Sequence, residues 1–146
     1  MDLTKTYPRS VREKLAGVVM LARATDKGKA FAAGTHGEYN FNCPMDKAVF
    51  GFLGIDSDKY LEKIKSAKNE AELEAYAREF VSKKSQAEVD EFNTHFLKHA
   101  PEAGSEGEKY FLELRESIDP SRTDVTTWAD LLDLDEKREV PRSVPA

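Results

Sequence analysis

A single cysteine in 146 residues excludes an internal disulfide, so nothing in the chain calls for an oxidising compartment. Long apolar runs are missing as well. The most apolar stretch, LAGVVMLARA (15–24), is too short to span a bilayer and is followed by charge. The opening residues MDLTKTYPRSVREK lack the order of a secretory signal, with its short basic region, apolar stretch and small-residue cleavage site. There is no excess of positive charge. A net charge of −5 and a pI near 5.3 argue against nucleic-acid and anionic-membrane partners. Phosphate-cradling glycine loops, Ser-His-Asp order and zinc-type cysteine pairs are absent, as are internal repeats and low-complexity tracts. What is there is an ordinary globular composition, 40% hydrophobic and 34% charged, of a length that suits one domain over 1–146. The expected setting is cytoplasmic.

The positive signals are helical. Ser10/Glu13, Asn69/Glu72, Ser85/Glu88 and Ser105/Glu108 have capping-box spacing, and each precedes an apolar pattern of helical period. The first helix is predicted from about Val11 to Ala33, stopping at Gly34. Pro44 opens a short helix over 44–53, closed by Gly54, and Asp56 or Ser57 starts another. Helices follow over 70–84, 86–100 and 106–118, and Thr127 caps a last turn or two. The tail from about 136 to 146 reads as extended. The fold class is therefore all-α: one helical domain with a short extended arm, about 35–43, between the first two helices.

That arm lies in GTHGEYNFNCPMDK (34–47), where a helical chain pauses to gather glycine, histidine, tyrosine, its cysteine and a proline. Tyr39, Phe41 and Cys43 alternate with Glu38, Asn40 and Asn42, a period of two with one apolar side. Proline at the first helical position puts Cys43 at the N-cap, where the free N–H groups and the helix dipole favour an anion. Asp46, three residues on, has the spacing to bond back to the cap. A thiol there suits nucleophilic chemistry; equally, it suits a small hydrophobe packed beside Tyr39 and Phe41.

The first helix carries a second oddity. At 100° per residue Val11, Leu15, Val18, Val19, Ala22 and Ala33 share a face, and Asp26 falls in its middle. A carboxylate there needs a partner if it is buried. Arg23 and Lys27 flank it, so the three residues are expected to line a polar pocket facing the arm. His95 and His99 have the i, i+4 spacing of metal ligands, but the residues between them lack the metalloprotease glutamate and both fall off the apolar stripe. No metal or cofactor is expected. Asn93 lies inside that stripe and is expected to bond loop backbone.

The segments PRS (8–10), RATDKGKA (23–30), GTHGEY (34–39), CPMD (43–46) and FLGID (52–56) together resemble a bacterial domain-of-unknown-function family, number five thousand and sixty-nine. VDEFN (89–93) and TTWADLLDLDE (126–136) extend the resemblance more loosely to nearly the full chain. The family pattern has Arg where Lys29 stands, and often Pro where Val11 stands. Lys29 therefore departs from a position where the pattern offers a bidentate contact. The resemblance implies a small bacterial domain with no assigned reaction. It singles out the same residues as the reading above: Arg9, Arg23, Asp26, Lys27, Tyr39, Cys43 and Asp46.

Three functions compete. The first is a pocket between the first helix and the 34–47 arm, holding a small polar or anionic ligand. The second is a small-metabolite enzyme using Cys43, or Asp26 with Lys27, for acyl or proton transfer. The third is an interaction module whose arm pairs subunits into a homo-oligomer.

Overall fold

The computed structural model describes residues 1–142. Caps and breakers place most of its helices. They are α1 (Leu21–Ala33), α2 (Pro44–Leu53), α3 (Ser57–Ser66), α4 (Glu70–Val81), α5 (Gln86–Lys98), α6 (Glu106–Ile118) and α7 (Trp128–Asp135). The fold is predominantly α. Asp56, Asn69, Ser105 and Thr127 each accept a backbone N–H from the first turn of the helix they open, as their positions predict. Ser85 and Glu88 close a complete reciprocal box, with bonds of 3.1 and 3.0 Å.

The start of the first helix is different. Residues 11–20 do not continue α1; they form a hairpin of β1 (Lys14–Leu15) and β2 (Val18–Val19), paired antiparallel. Ala16 and Gly17 both take left-handed φ, 54° and 81°, which makes a two-residue turn of the kind that matches strand twist. Met20, also left-handed at 70°, then redirects the chain into α1. Ser10 and Glu13 accordingly cap nothing: Ser10 Oγ accepts from Arg12 N in a turn. The periodicity misleads because Val11, Leu15, Val18 and Val19 are indeed all buried, but by hairpin packing. Ala33, assigned to the same face, is exposed.

Asn93 holds this hairpin. From α5 its amide Nδ2 donates to Gly17 O and its Oδ1 accepts from Val19 N, both at 3.0 Å. This is the loop-backbone role expected of it. Asn93→Ala should cost about 1–3 kcal/mol, because it strands the buried Val19 N–H; urea unfolding would measure this, and a loss near zero would show the clamp to be dispensable.

The chain contains two compact units, Met1–Asn93 and Thr94–Ala146. In the first, α1 is buried on all sides from Leu21 to Gly28. Gly28 permits close packing: a Cβ there would lie 2.6 Å from Ile64 Cδ1 of α3 and 3.2 Å from Phe41 Cε2. Behind it, Thr25 Oγ donates to Leu21 O at 2.7 Å, so the Tyr60 hydroxyl, 2.7 Å away, donates to Thr25. Burial pushes the Tyr60 hydroxyl up to about 12. The folded state therefore keeps a proton that the unfolded chain loses near pH 10. The Tyr60 contribution to stability is full below pH 10 and should fall by about 2–3 kcal/mol as pH rises from about 10 to 12. Tyr60→Phe should flatten that fall in alkaline denaturation; an unchanged slope would assign it to other groups.

In the second unit Phe111 and Ile118 of α6 pack with Val125, Trp128 and Leu131 around a separate small core. Arg122 pairs with Asp124 at 3.0 Å and donates to Val140 O at 2.8 Å, tying down the chain after α7. Residues 138–142 have no regular structure; of the expected extended tail, 143–146 lie outside the described residues.

Candidate functional site

Between α1 and α2 the arm runs without a strand. Turns at 37–38 and 41–42, with left-handed Gly37 (57°) and Asn42 (65°), break the two-residue alternation that Tyr39, Phe41 and Cys43 suggest. The apolar spacing survives only in part, with Phe41 packed on Phe31 and Phe50 at 5.9 Å between ring centres.

The seven sequence candidates do gather around α1, in two groups. In the first, Asp26 is 1% exposed and its partner is Arg9, not Arg23. Its Oδ2 accepts from Arg9 N at 2.8 Å and from Nε at 3.1 Å, while Oδ1 accepts from Nη2 at 3.0 Å. This fork geometry suits a guanidinium and a carboxylate. The other edge of Arg9 grips Glu70, with Nη1–Oε2 at 3.2 Å and a second bond from Nη2 to Oε1. Lys29 reaches the same Glu70 oxygen at 3.3 Å. Arg23 Nη1 donates to Arg9 O at 3.3 Å, and its guanidinium lies over the Tyr39 ring, 5.7 Å from the centre.

Charge follows this geometry. Burial opposes the Arg9 cation, but the bonds to Asp26 and Glu70 overcome it and raise its pKa. The Arg9 bonds, with help from Lys29, hold Glu70 below its ordinary value against a smaller effect of burial. The Glu70 contribution to stability is thus present above about pH 4.5 and is lost as pH falls through the depressed value.

The second group is Lys27, Cys43 and Asp46. Cys43 is the N-cap of α2 and Asp46, at N3, completes a capping box with it, as the spacing predicts. Asp46 Oδ2 accepts from Cys43 N at 3.2 Å and from Lys27 Nζ at 2.9 Å. Lys27 Nζ also lies 3.1 Å from Cys43 Sγ. Lys27 and Asp46 are buried, whereas Cys43 is half-buried. Two buried side-chain atoms without a hydrogen-bond partner stand out among the described residues: Asp46 Oδ1 and His36 Nδ1. Both belong to the 34–47 stretch.

The expected pocket of Arg23, Asp26 and Lys27 is thus divided differently. Asp26 is turned toward the N-terminal segment, and Lys27 toward the start of α2. Sequence reasoning missed Glu70 and Lys29 as members. Glu70 looks like any acidic residue in a first helical turn, and 61 residues separate it from Arg9. His95 and His99 are exposed, and no group of three or more metal-type side chains occurs among the described residues. In the second unit an open cleft of about 210 Å³ between Pro101, Phe111 and Arg115 includes none of the seven candidates.

Residues 5–138 match the family model described as Domain of unknown function (DUF5069). The chain belongs to this family. The segments from PRS at 8–10 to TTWADLLDLDE at 126–136 all fall inside the DUF5069 match. No curated protein matches the chain. No helix of the described residues is long and apolar enough to cross a membrane.

Proposed function

We propose that this DUF5069 domain binds a small polar ligand between α1 and the 34–47 arm. The observation that carries the proposal is the pair of buried, unpartnered atoms, Asp46 Oδ1 and His36 Nδ1. Folded proteins seldom leave such groups without partners, and functional sites are one place where they do. Asp46 Oδ1 accepts only, so the ligand presents an N–H or O–H to it. Lys27 supplies a cation beside that carboxylate, which favours a ligand that also carries an anionic group. Hydroxy acids, amino acids and sugar phosphates have both features. The setting in this proposal is the bacterial cytoplasm, where the free thiol of Cys43 stays reduced.

A thermal-shift panel of those three compound classes tests the proposal. A ligand that binds only the folded state raises the melting temperature, by mass action. At least one class should do so, with the shift reduced in His36→Ala. A flat response across the panel, or equal shifts in the variant, would refute the site.

A thiol-dependent enzyme is the second reading, and the 3.1 Å approach of Lys27 Nζ to Cys43 Sγ favours it. Both donors that face the sulfur, the ammonium and the N3 amide, suit a sulfur that accepts hydrogen bonds. Iodoacetamide labelling at pH 7 separates the readings. Slower labelling in the native than in the unfolded protein leaves ligand binding first; faster native labelling reverses the order.

A further inference from the structure

The Lys27–Cys43 contact also has a consequence independent of any ligand. The geometry points to an oxidative crosslink: hydrogen peroxide converts Lys27 and Cys43 into a covalent S–N bond, a sulfenamide. Three observations converge on it. Nζ stands 3.1 Å from Sγ, so forming the bond needs a side-chain shift of little more than an ångström and no backbone rearrangement. Cys43 is half-buried as a residue, whereas the Lys27 side chain beside it is only 6% exposed, so bulk water competes poorly with the amine for an activated sulfur. Asp46 stands beside both, with Oδ2 at 2.9 Å from Nζ to take its proton and the unpartnered, fully buried Oδ1 as an acceptor for a small O–H compound.

The chemistry balances in two steps. In the first, the Cys43 sulfur attacks one oxygen of hydrogen peroxide and the O–O bond breaks. The leaving hydroxide takes the thiol proton, giving the sulfenic acid Cys–SOH and one water. In the second, Lys27 passes its ammonium proton to Asp46 Oδ2, and the neutral amine attacks the sulfenic sulfur. The S–N bond forms, the S–O bond breaks, and the departing hydroxide takes the proton held by Asp46. A second water leaves, and the positively charged nitrogen releases its extra proton to Asp46 and on to solvent. The sum is thiol plus amine plus one peroxide to sulfenamide plus two waters, a two-electron oxidation. Sulfenic acids condense with nitrogen in this way when a thiol is out of reach, and Cys43 is the only cysteine of the chain. A reducing thiol attacks the S–N bond at sulfur, which frees the Lys27 amine and leaves Cys43 in a mixed disulfide; a second thiol then displaces Cys43 as the free thiol and leaves as the oxidised disulfide.

Intact-mass spectrometry of the native full-length protein after hydrogen peroxide treatment is the test. The expected product is lighter than the starting protein by about 2 Da, the two hydrogens lost. It should return to the starting mass with dithiothreitol and resist trypsin at Lys27, leaving a crosslinked peptide that contains residues 27 and 43. Dimedone, which traps sulfenic acid, should label Lys27→Arg strongly and the wild type only weakly. Circular dichroism of that variant checks that it folds, and the wild-type mass does not depend on it. A stable wild-type product heavier by one oxygen and trapped by dimedone would overturn the crosslink, as would no reaction under conditions that oxidise the unfolded chain. The thermal-shift panel involves no oxidant, so either proposal stands or falls without the other.

Discussion

Asp26→Ala should lower the stability of the protein by about 3–5 kcal/mol, the usual cost of removing one partner of a buried ion pair. Asp26 is 1% exposed and accepts three bonds from Arg9, one from its backbone and two from its guanidinium. Removing the carboxylate strands the Arg9 N–H and leaves one edge of the guanidinium, at Nε, without its acceptor. Arg9→Ala should cost a similar amount for the converse reason, an unpaired buried carboxylate. The double variant should cost clearly less than the sum, because both single changes destroy the same interaction. Glu62→Ala is the control: its pair with Lys65 is exposed, and the change should stay within about 0.5 kcal/mol. Guanidinium unfolding of the four variants and the wild type decides. A loss for Asp26→Ala no greater than for Glu62→Ala would dismiss the idea that this pair anchors the N-terminal segment to α1.

Lys27→Met should be nearly as costly, again about 3–5 kcal/mol. The substitution fits the space but leaves the fully buried Asp46 carboxylate without its cation, and Oδ1 of that group already lacks a partner. A neutral amide at 46 relieves the uncompensated charge and keeps an acceptor for the Cys43 N–H. Lys27→Met combined with Asp46→Asn should therefore be more stable than Lys27→Met alone. Thermal melts at pH 7 would show the order. If the double variant is the less stable, Asp46 acts through its charge on the α2 N-terminus rather than through Lys27, and the buried pair is not the source of the stability.

Much of this architecture is legible from local chemistry. Pro44 at the first position of α2 and Gly54 behind it bound that helix to the residue, because one removes a donor that the first turn does not need and the other accepts left-handed φ at no cost. The Cys43–Asp46 box, the Asn69, Ser105 and Thr127 caps and the role of Asn93 follow from the same kind of reasoning. The hairpin at 14–19 does not. Its apolar residues satisfy helical spacing, and the choice between helix and hairpin turns on Ala16 and Gly17 adopting left-handed φ together.

The site divides along the same line. Local order was enough to show that Cys43 caps a helix and that Asp46 closes the cap, because both depend on residues within one turn; the face that places Asp26 is drawn mostly from hairpin residues, so its burial rests on the packing around α1. Only the tertiary structure decided which charge answers which. Arg9 reaches Asp26 across 17 positions and Glu70 across 61, while Lys27 turns away from its neighbour Asp26 toward Asp46, 19 residues on. A long cationic side chain can serve any carboxylate within its reach, and that reach is set by how the hairpin, α3 and the arm pack around α1, not by distance along the chain.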